Sequence, residues 1–197
     1  MRVVYKPIRG ERPLDDFPTG TLAGREAAAF LLSEQTPWAV VPPTLLRDGP
    51  FGTGAVQQWI DVDDEADVVE MIVTADERLR RVALFDVLAN NADRKGGHLL
   101  PTVDGHVYGV DHGICFAVEP TLRTVLWAWR GQTLLPEELA VIKRVCDGLD
   151  GEVGRELGTL LTVAEVRATS RRAEALLHSA KFPQPDPGRP ALPWPPF

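Results

Sequence analysis

The chain is poor in cysteine, with only Cys115 and Cys146 in 197 residues and no Cys-x-x-Cys pair. That excludes a disulfide framework and a cysteine-based metal site, and it fits a reducing compartment. No window approaches the roughly 18 or more apolar residues of a membrane span. The first residues, MRVVYKPIRGERPLDD, hold no apolar stretch of signal-peptide length. Together these absences predict a soluble, cytoplasmic protein with no integral membrane segment. Basic charge is also short: 21 Lys and Arg stand against 28 Asp and Glu, a formal net charge of −7. Such a balance argues against general nucleic-acid binding, which needs a net basic surface to neutralise phosphates. It leaves room for a local basic site that takes a nucleotide. No Gly-x-Ser-x-Gly nucleophile elbow is present, and no internal repeat.

What is there reads as a folded chain, 44% hydrophobic and 25% charged. Its length suits one domain, or two small lobes sharing one cleft, with a sizeable core. Residues 2–5 are β-prone and end at Lys6-Pro7. Residues 9–20 are rich in Gly, Pro and Asp and read as a loop. Thr21 is the expected N-cap of a helix from Leu22 to Gln35, carried by its alanines. Val40-Val41 before Pro42-Pro43 predicts a strand stopped by proline. The runs TLLR and AVQQWI around GPFGTG predict a hairpin with a glycine-rich turn. The acidic stretch 61–67 reads as surface. Ala75 to Leu88 predicts a helix with Leu79, Val82, Ala83, Phe85 and Leu88 on one face. Asp104-Gly105 between two apolar runs predicts a type I′ hairpin. Residues 135–179 are mostly helical, broken near Gly148, Gly151 and Gly158. From Pro183 onward there are seven prolines in fifteen residues, so the tail is extended.

Two tempting motifs fail on their details. GPFGTG is followed by a β-like run instead of Lys-Ser/Thr and a helix, so it is not a phosphate loop. DVDDEADVVEMI carries Ala66 and Ile72 where a calcium-binding loop needs Gly and Glu. The cysteines sit among apolar residues and read as buried spacers. Trp127 and Trp129 read either as pocket lining or as packing in the core or between lobes.

The chemistry-bearing cluster lies between Phe85 and Phe116. A helix feeds the polar run Asn90 to His98, a short hairpin follows, and its second strand ends in Asp111-His112-Gly113. Asp93 and Asp111 therefore flank one hairpin and can face one cleft, with His98 at the loop exit. Phosphoryl transfer needs such a set. One carboxylate orients the attacking hydroxyl, a second carboxylate and a neighbour hold divalent metal across the phosphates, and a lysine neutralises phosphate charge from the opposite side. Asn91 reads as a support for this loop. Arg94 and Lys95 read equally as contacts to substrate charge and as a solvated loop.

These segments carry a family resemblance. N-A-D-R-K-G-G-H-L-L (Asn91 to Leu100) resembles the catalytic loop of the phosphatidylinositol 3-/4-kinase superfamily, and V-D-H-G-I-C-F (Val110 to Phe116) resembles its metal loop. V-V-Y-K-P (Val3 to Pro7) is similar to the strand carrying the ATP-binding lysine. G-R-E-A-A-A-F-L-L (Gly24 to Leu32) is similar to the helix whose glutamate pairs with it. V-P-P-T (Val41 to Thr44) and V-Q-Q-W-I (Val56 to Ile60) resemble the approach to the adenine-holding hinge. Type II phosphatidylinositol 4-kinases and uncharacterised actinobacterial kinase-like proteins are the nearest flavours. The five motifs occur in order over residues 3 to 130.

The resemblance implies an α+β, bilobal protein-kinase-like fold. It implies a reduced N-lobe over 1–60 that lacks the glycine-rich loop, a helical C-lobe over 61–182, and the Pro-rich tail 183–197. It implies ATP and Mg²⁺ or Mn²⁺ as cofactors. Lys6 would contact the phosphates and Glu26 would hold Lys6. Gln58, Trp59 and Ile60 would offer backbone groups to adenine. Asp93 would be catalytic, and His98 and Asp111 would bind metal. His98 stands where the superfamily has Asn, and imidazole suits Mn or Zn better than Mg. His112 stands in place of a Phe. The leading expectation is phosphotransfer from ATP to a hydroxyl of a small molecule, lipid headgroup or protein. The alternatives are a nucleotide-binding pseudokinase and a nucleotidyl transferase on the same scaffold. No basic amphipathic stretch points to a lipid surface. The tail either docks a protein partner or folds back on the C-lobe.

Overall fold

A computed structural model describes residues 2–14 and 16–197. The chain opens with β1 (Val3–Pro7), which passes through a 3₁₀ turn and a loop into α1 (Leu22–Ser33). A hairpin of β2 (Thr44–Gly49) and β3 (Gly52–Gln58) follows. The three strands form an antiparallel sheet in the order β1-β3-β2, with Lys6 opposite Ala55 and Pro7 opposite Gly54. Gly54 is required there by close approach, because a Cβ would lie 2.5 Å from the Lys6 carbonyl oxygen and 2.7 Å from Pro7 Cα. Backbone cannot yield as a flexible side chain can, so the position is confined to glycine.

The rest is mainly helical: α2 (Val68–Val73), α3 (Arg80–Ala89), the two-stranded hairpin β4 (Leu99–Pro101) and β5 (Val107–Gly109), then α4 (Pro136–Leu149), α5 (Glu152–Leu157) and α6 (Val163–Ser179). Pro136 opens α4 at a position where its missing N–H costs nothing, and Glu138 accepts the Leu135 N–H at 2.7 Å. Thr162 and Glu165 form a reciprocal capping box on α6. A single apolar core runs from Ala28, Ala29 and Leu32 of α1 through Val82, Phe85 and Leu88 of α3 to Ile142, Ala173 and Leu176. Each of those residues buries side-chain surface worth roughly 1.5–3 kcal/mol for the larger ones. Among the described residues, no helix is long and apolar enough to cross a membrane.

Four local expectations are corrected. Val40-Val41 forms no strand: Ser33 Oγ accepts the Val41 N–H, the Val40 carbonyl takes Gly109, and two prolines follow. Thr21 makes no side-chain cap; its hydroxyl turns back to Pro18, and the Glu11 carboxylate accepts the Ala23 N–H at 2.9 Å instead. The helix expected from Ala75 begins at Arg80, because Ala75 sits at φ 55° and Asp76 caps a short 3₁₀ turn through the Arg78 N–H. The β4–β5 connection is not type I′, which needs positive φ at both central residues. Only Gly105 has it, and the Asp104 carboxylate organises a five-residue loop by accepting from Thr102 Oγ1 and the His106 N–H.

The Pro-rich tail folds back. Ala191 accepts from the Thr124 N–H and the Trp127 indole, and the Pro196 carbonyl accepts the Gly96 N–H at 2.9 Å.

Candidate functional site

Two clefts meet at Lys6. One, about 740 Å³, is lined by Lys6, Glu11, Glu26, Asp93, Lys95 and Asp111 among others. The second, about 660 Å³, runs from Lys6 past Gln58, Trp59 and Ile60 to Leu100 and Val110. Lys6, Glu26, Gln58, Trp59, Ile60, Asp93, Lys95 and Asp111 each line one or both, and His98 lies against Asp111, whereas Asn91, Arg94 and His112 are buried behind them. The assembly draws on β1, α1, the end of β3, the loop after α3 and the end of β5.

Lys6 is the hub. Its Nζ lies 2.5 Å from Glu26 Oε1 and 3.0 Å from Asp111 Oδ1. Burial alone would push Lys6 down, but the two carboxylates outweigh it and hold its pKa above the ordinary lysine value. Lys6 is thus a fixed positive charge at any physiological pH. Glu26 is almost wholly buried, and burial raises its carboxyl despite Lys6 and the His112 N–H, which donates to Oε2 at 3.1 Å. Burial would also raise Asp111, but Lys6, His98 and Arg94 overcome it and keep its carboxyl below the usual range. Asp111 is therefore ionised, and its side chain is exposed.

The helix carrying Glu26 is pinned by its neighbour. Arg25 is 1% exposed; it donates to the Cys115 carbonyl at 2.7 Å and forms an ion pair with Glu165 of α6. Adjacent side chains on α1 therefore reach the C-terminal helices and the lysine.

The loop holding Asp93 is built around one buried ion pair. Arg94 and Asp86 are both 0% exposed and meet in a two-point contact, Nε to Oδ2 and Nη2 to Oδ1, each 2.9 Å. Asn91 donates to Asp86 Oδ1 and accepts the Asp93 N–H, so Asp93 hangs from this core. Arg94 also donates to the carbonyls of Val110 and His98. Its Nη2 lies 2.7 Å from His112 Nε2, which must be the acceptor because a guanidinium can only donate. Burial first, then Arg94, push His112 well below the ordinary histidine range, so it is neutral. Arg94 is corrected accordingly: it neither meets substrate nor lies in solvent. His112 packs edge-on against Phe85 at 5.5 Å, as a packing reading expects. Asp86 was missed; its signal is a carboxylate inside the apolar run Leu84-Phe85-Asp86-Val87-Leu88.

Asp111 and Phe116 bracket the following loop with φ of 63° and 68°. Non-glycine residues in this region cost on the order of 1–3 kcal/mol each and cluster where function fixes the backbone. Phe116 is held by its N–H to the Ala89 carbonyl at 2.7 Å.

A divalent cation fits His98 and Asp111. His98 Nε2 and Asp111 Oδ2 are 3.4 Å apart. Two ligands at about 2.1 Å from one ion, at angles between right-angled and tetrahedral, stand about 3.0–3.4 Å apart. Burial lowers His98, so its ring is neutral near pH 7, and among the described residues its Nδ1 has no partner to fix the tautomer. Among the described residues no three His, Cys, Asp or Glu gather closely enough to hold a metal by themselves. In the second cleft, the N–H groups of Gln58 and Trp59 already serve the Pro43 and Arg2 carbonyls. A backbone donor to a ligand must come from beyond Trp59.

The chain is 43% identical over 232 residues to the protein Rv2133c of Mycobacterium tuberculosis (strain ATCC 25618 / H37Rv), spanning 100% of this chain and 83% of that protein. Its structure is similar to that of hydra Fam20, solved with sugar, at a TM-score of 0.54 and 16% identity, over 90% of this chain and 77% of the other. The architecture is thus an α+β, kinase-like fold. No family model matches.

Proposed function

The chain belongs to the family of the mycobacterial protein Rv2133c, and from that premise we propose that it is an ATP- and divalent-metal-dependent phosphotransferase acting on a hydroxyl group. The observation that carries this reading is Lys6 bridging Glu26 and Asp111 at 2.5 and 3.0 Å on a cleft that Asp93 also lines. A cleft with a fixed cation, an ionised ligand and an accessible carboxylate supplies what phosphoryl transfer asks of a protein, namely placement and charge.

In this reading residues 1–60 form a nucleotide lobe, 61–182 a helical lobe, and 183–197 a tail that closes on it. The base lies along Gln58, Trp59 and Ile60. Lys6 neutralises phosphate charge and Glu26 fixes its position. Asp111 and His98 would hold the cation, which would supply further neutralisation of phosphate charge. Asp93 orients the acceptor hydroxyl and takes its proton as the new oxygen–phosphorus bond forms and the bond to ADP breaks. The likeness to phosphatidylinositol kinases belongs to these motifs and carries no lipid specificity.

The test is calorimetric titration of ATP with Mg²⁺ and then Mn²⁺, beside Asp111→Asn, followed by mass spectrometry of products with and without Asp93→Asn. Metal-dependent binding lost in Asp111→Asn and a phosphorylated product lost in Asp93→Asn are expected. Phosphotransfer that survives Asp93→Asn refutes the assigned chemistry. Binding with no product identifies a nucleotide-responsive module, and an added AMP identifies nucleotidyl transfer.

A further inference from the structure

A third cavity, about 420 Å³, opens where α3, α6 and the segment after α6 converge. It shares no lining residue with the two clefts at Lys6. Its volume lies in the range of small-molecule sites. Val87, Leu122, Trp127, Leu176, Phe182 and Pro183 make its walls apolar.

The charges in it are unusual for an acidic protein. Arg172, Lys181 and Arg189 line the cavity against one carboxylate, Asp186, which already faces Arg189 at 3.7 Å. Arg172 is largely buried, and all its acceptors are uncharged: the Leu88 and Ala117 carbonyls, each at 3.2 Å, and Thr169 Oγ1 at 2.8 Å. Among the described residues it has no carboxylate in ion-pair contact. Burial pushes its pKa down to about 10, the mark of a cation taken from water without a counter-charge. A guanidinium that keeps its charge in an apolar cavity is most readily compensated by an anion brought in by a ligand.

We propose that this cavity binds an anionic amphiphile, an alkyl chain ending in a carboxylate or phosphate, with the chain against Leu122, Trp127 and Leu176 and the head group on Arg172. The chain gains by leaving water. The head group gives the guanidinium the charged acceptor that the described residues do not provide.

The inference does not depend on phosphotransfer, and a binding measurement tests it. Dodecanoate, dodecyl phosphate and uncharged dodecanol are each titrated calorimetrically into the full chain, below their micelle concentrations. Expected is saturable one-to-one binding of at least one anion, about tenfold or more tighter than dodecanol, since a hydrogen bond to a charged group is worth that factor. The tighter of the two anions identifies the head group. Ala175→Trp, introduced at the exposed edge of the cavity, should abolish binding. Arg172→Leu should reduce the anion to the level of dodecanol. If Arg172→Leu fails to fold because it orphans two carbonyls, Ala175→Trp still decides. Equal affinity for dodecanol and the anions overturns the proposal, as does absence of binding or unchanged binding to Ala175→Trp.

Discussion

Replacing Asp86 by Asn probes the centre of the site's support. The side chains of Asp86 and Arg94 are both fully buried, and the pair makes two charge-assisted bonds of 2.9 Å. Asn keeps the shape but turns one acceptor into an N–H₂ donor facing the guanidinium, and leaves a buried cation without a counter-charge. Removing one partner of such a pair costs about 3–5 kcal/mol. Against a whole-domain stability of about 5–15 kcal/mol, the variant stays folded but is clearly weakened. With a urea slope near the top of the range of about 1–3 kcal/mol per M, the midpoint should fall by roughly 1–1.7 M. Arg94→Met should cost a similar amount, since it strands the carboxylate. The double variant Asp86→Asn with Arg94→Met should lose about 1–3 kcal/mol less than the sum of the two singles. A midpoint for Asp86→Asn within the scatter of the wild type would refute the reasoning, because it would mean that the charge is solvated.

Two further outcomes follow from the same geometry. His112 is 0% exposed and its folded pKa lies well below 6.5, so the unfolded chain binds its proton first as pH falls. Its contribution is present above about pH 6.5 and is lost below it at up to about 1.4 kcal/mol per pH unit. Glu26, whose pKa is raised, acts in the opposite direction at lower pH. The comparison is therefore the pH 7 to 5.5 change in urea midpoint of wild type minus that of His112→Gln, and a difference of zero rules out a buried neutral imidazole. At Gly96 the Phe197 ring fills the place a Cβ would take. Gly96→Val should release the tail, and limited proteolysis should then cut between residues 183 and 197 as fast as in a chain with Phe197→Ala. Cleavage no faster than in wild type contradicts tail docking.

Several elements were legible because their causes are local. The alanine-rich α1, the β2–β3 hairpin and the breaks at Gly151 and Gly158 follow from propensity and turn chemistry acting over a few residues, whereas Gly148 lies inside α4 and breaks nothing. Two errors, at Thr21 and Val40-Val41, fell where a distant group overrode a local preference, and two, at Ala75 and Asp104-Gly105, where a nearby aspartate set the backbone. Glu11 reaches across twelve positions to cap α1, so Thr21 is not needed. The tail is Pro-rich and lacks regular structure, yet it docks on Thr124, Trp127 and Gly96 by its carbonyls, which prolines keep.

For the candidate site, the sequence alone supplied residue types and order: a lysine after a β-prone run, a glutamate in a helix, and two aspartates either side of a short hairpin. Order along a chain constrains which groups can share a cleft. It does not say which of them lose their water. Only the tertiary structure decided that Arg94 is buried on Asp86 while Lys95 remains at the cleft. Only it tied Arg25 to Glu165 across 140 positions and, among the described residues, left Arg172 without a carboxylate. The physical reason is that a charge's role depends on desolvation and on partners brought close by the whole core, and neither is a property of neighbouring residues in sequence.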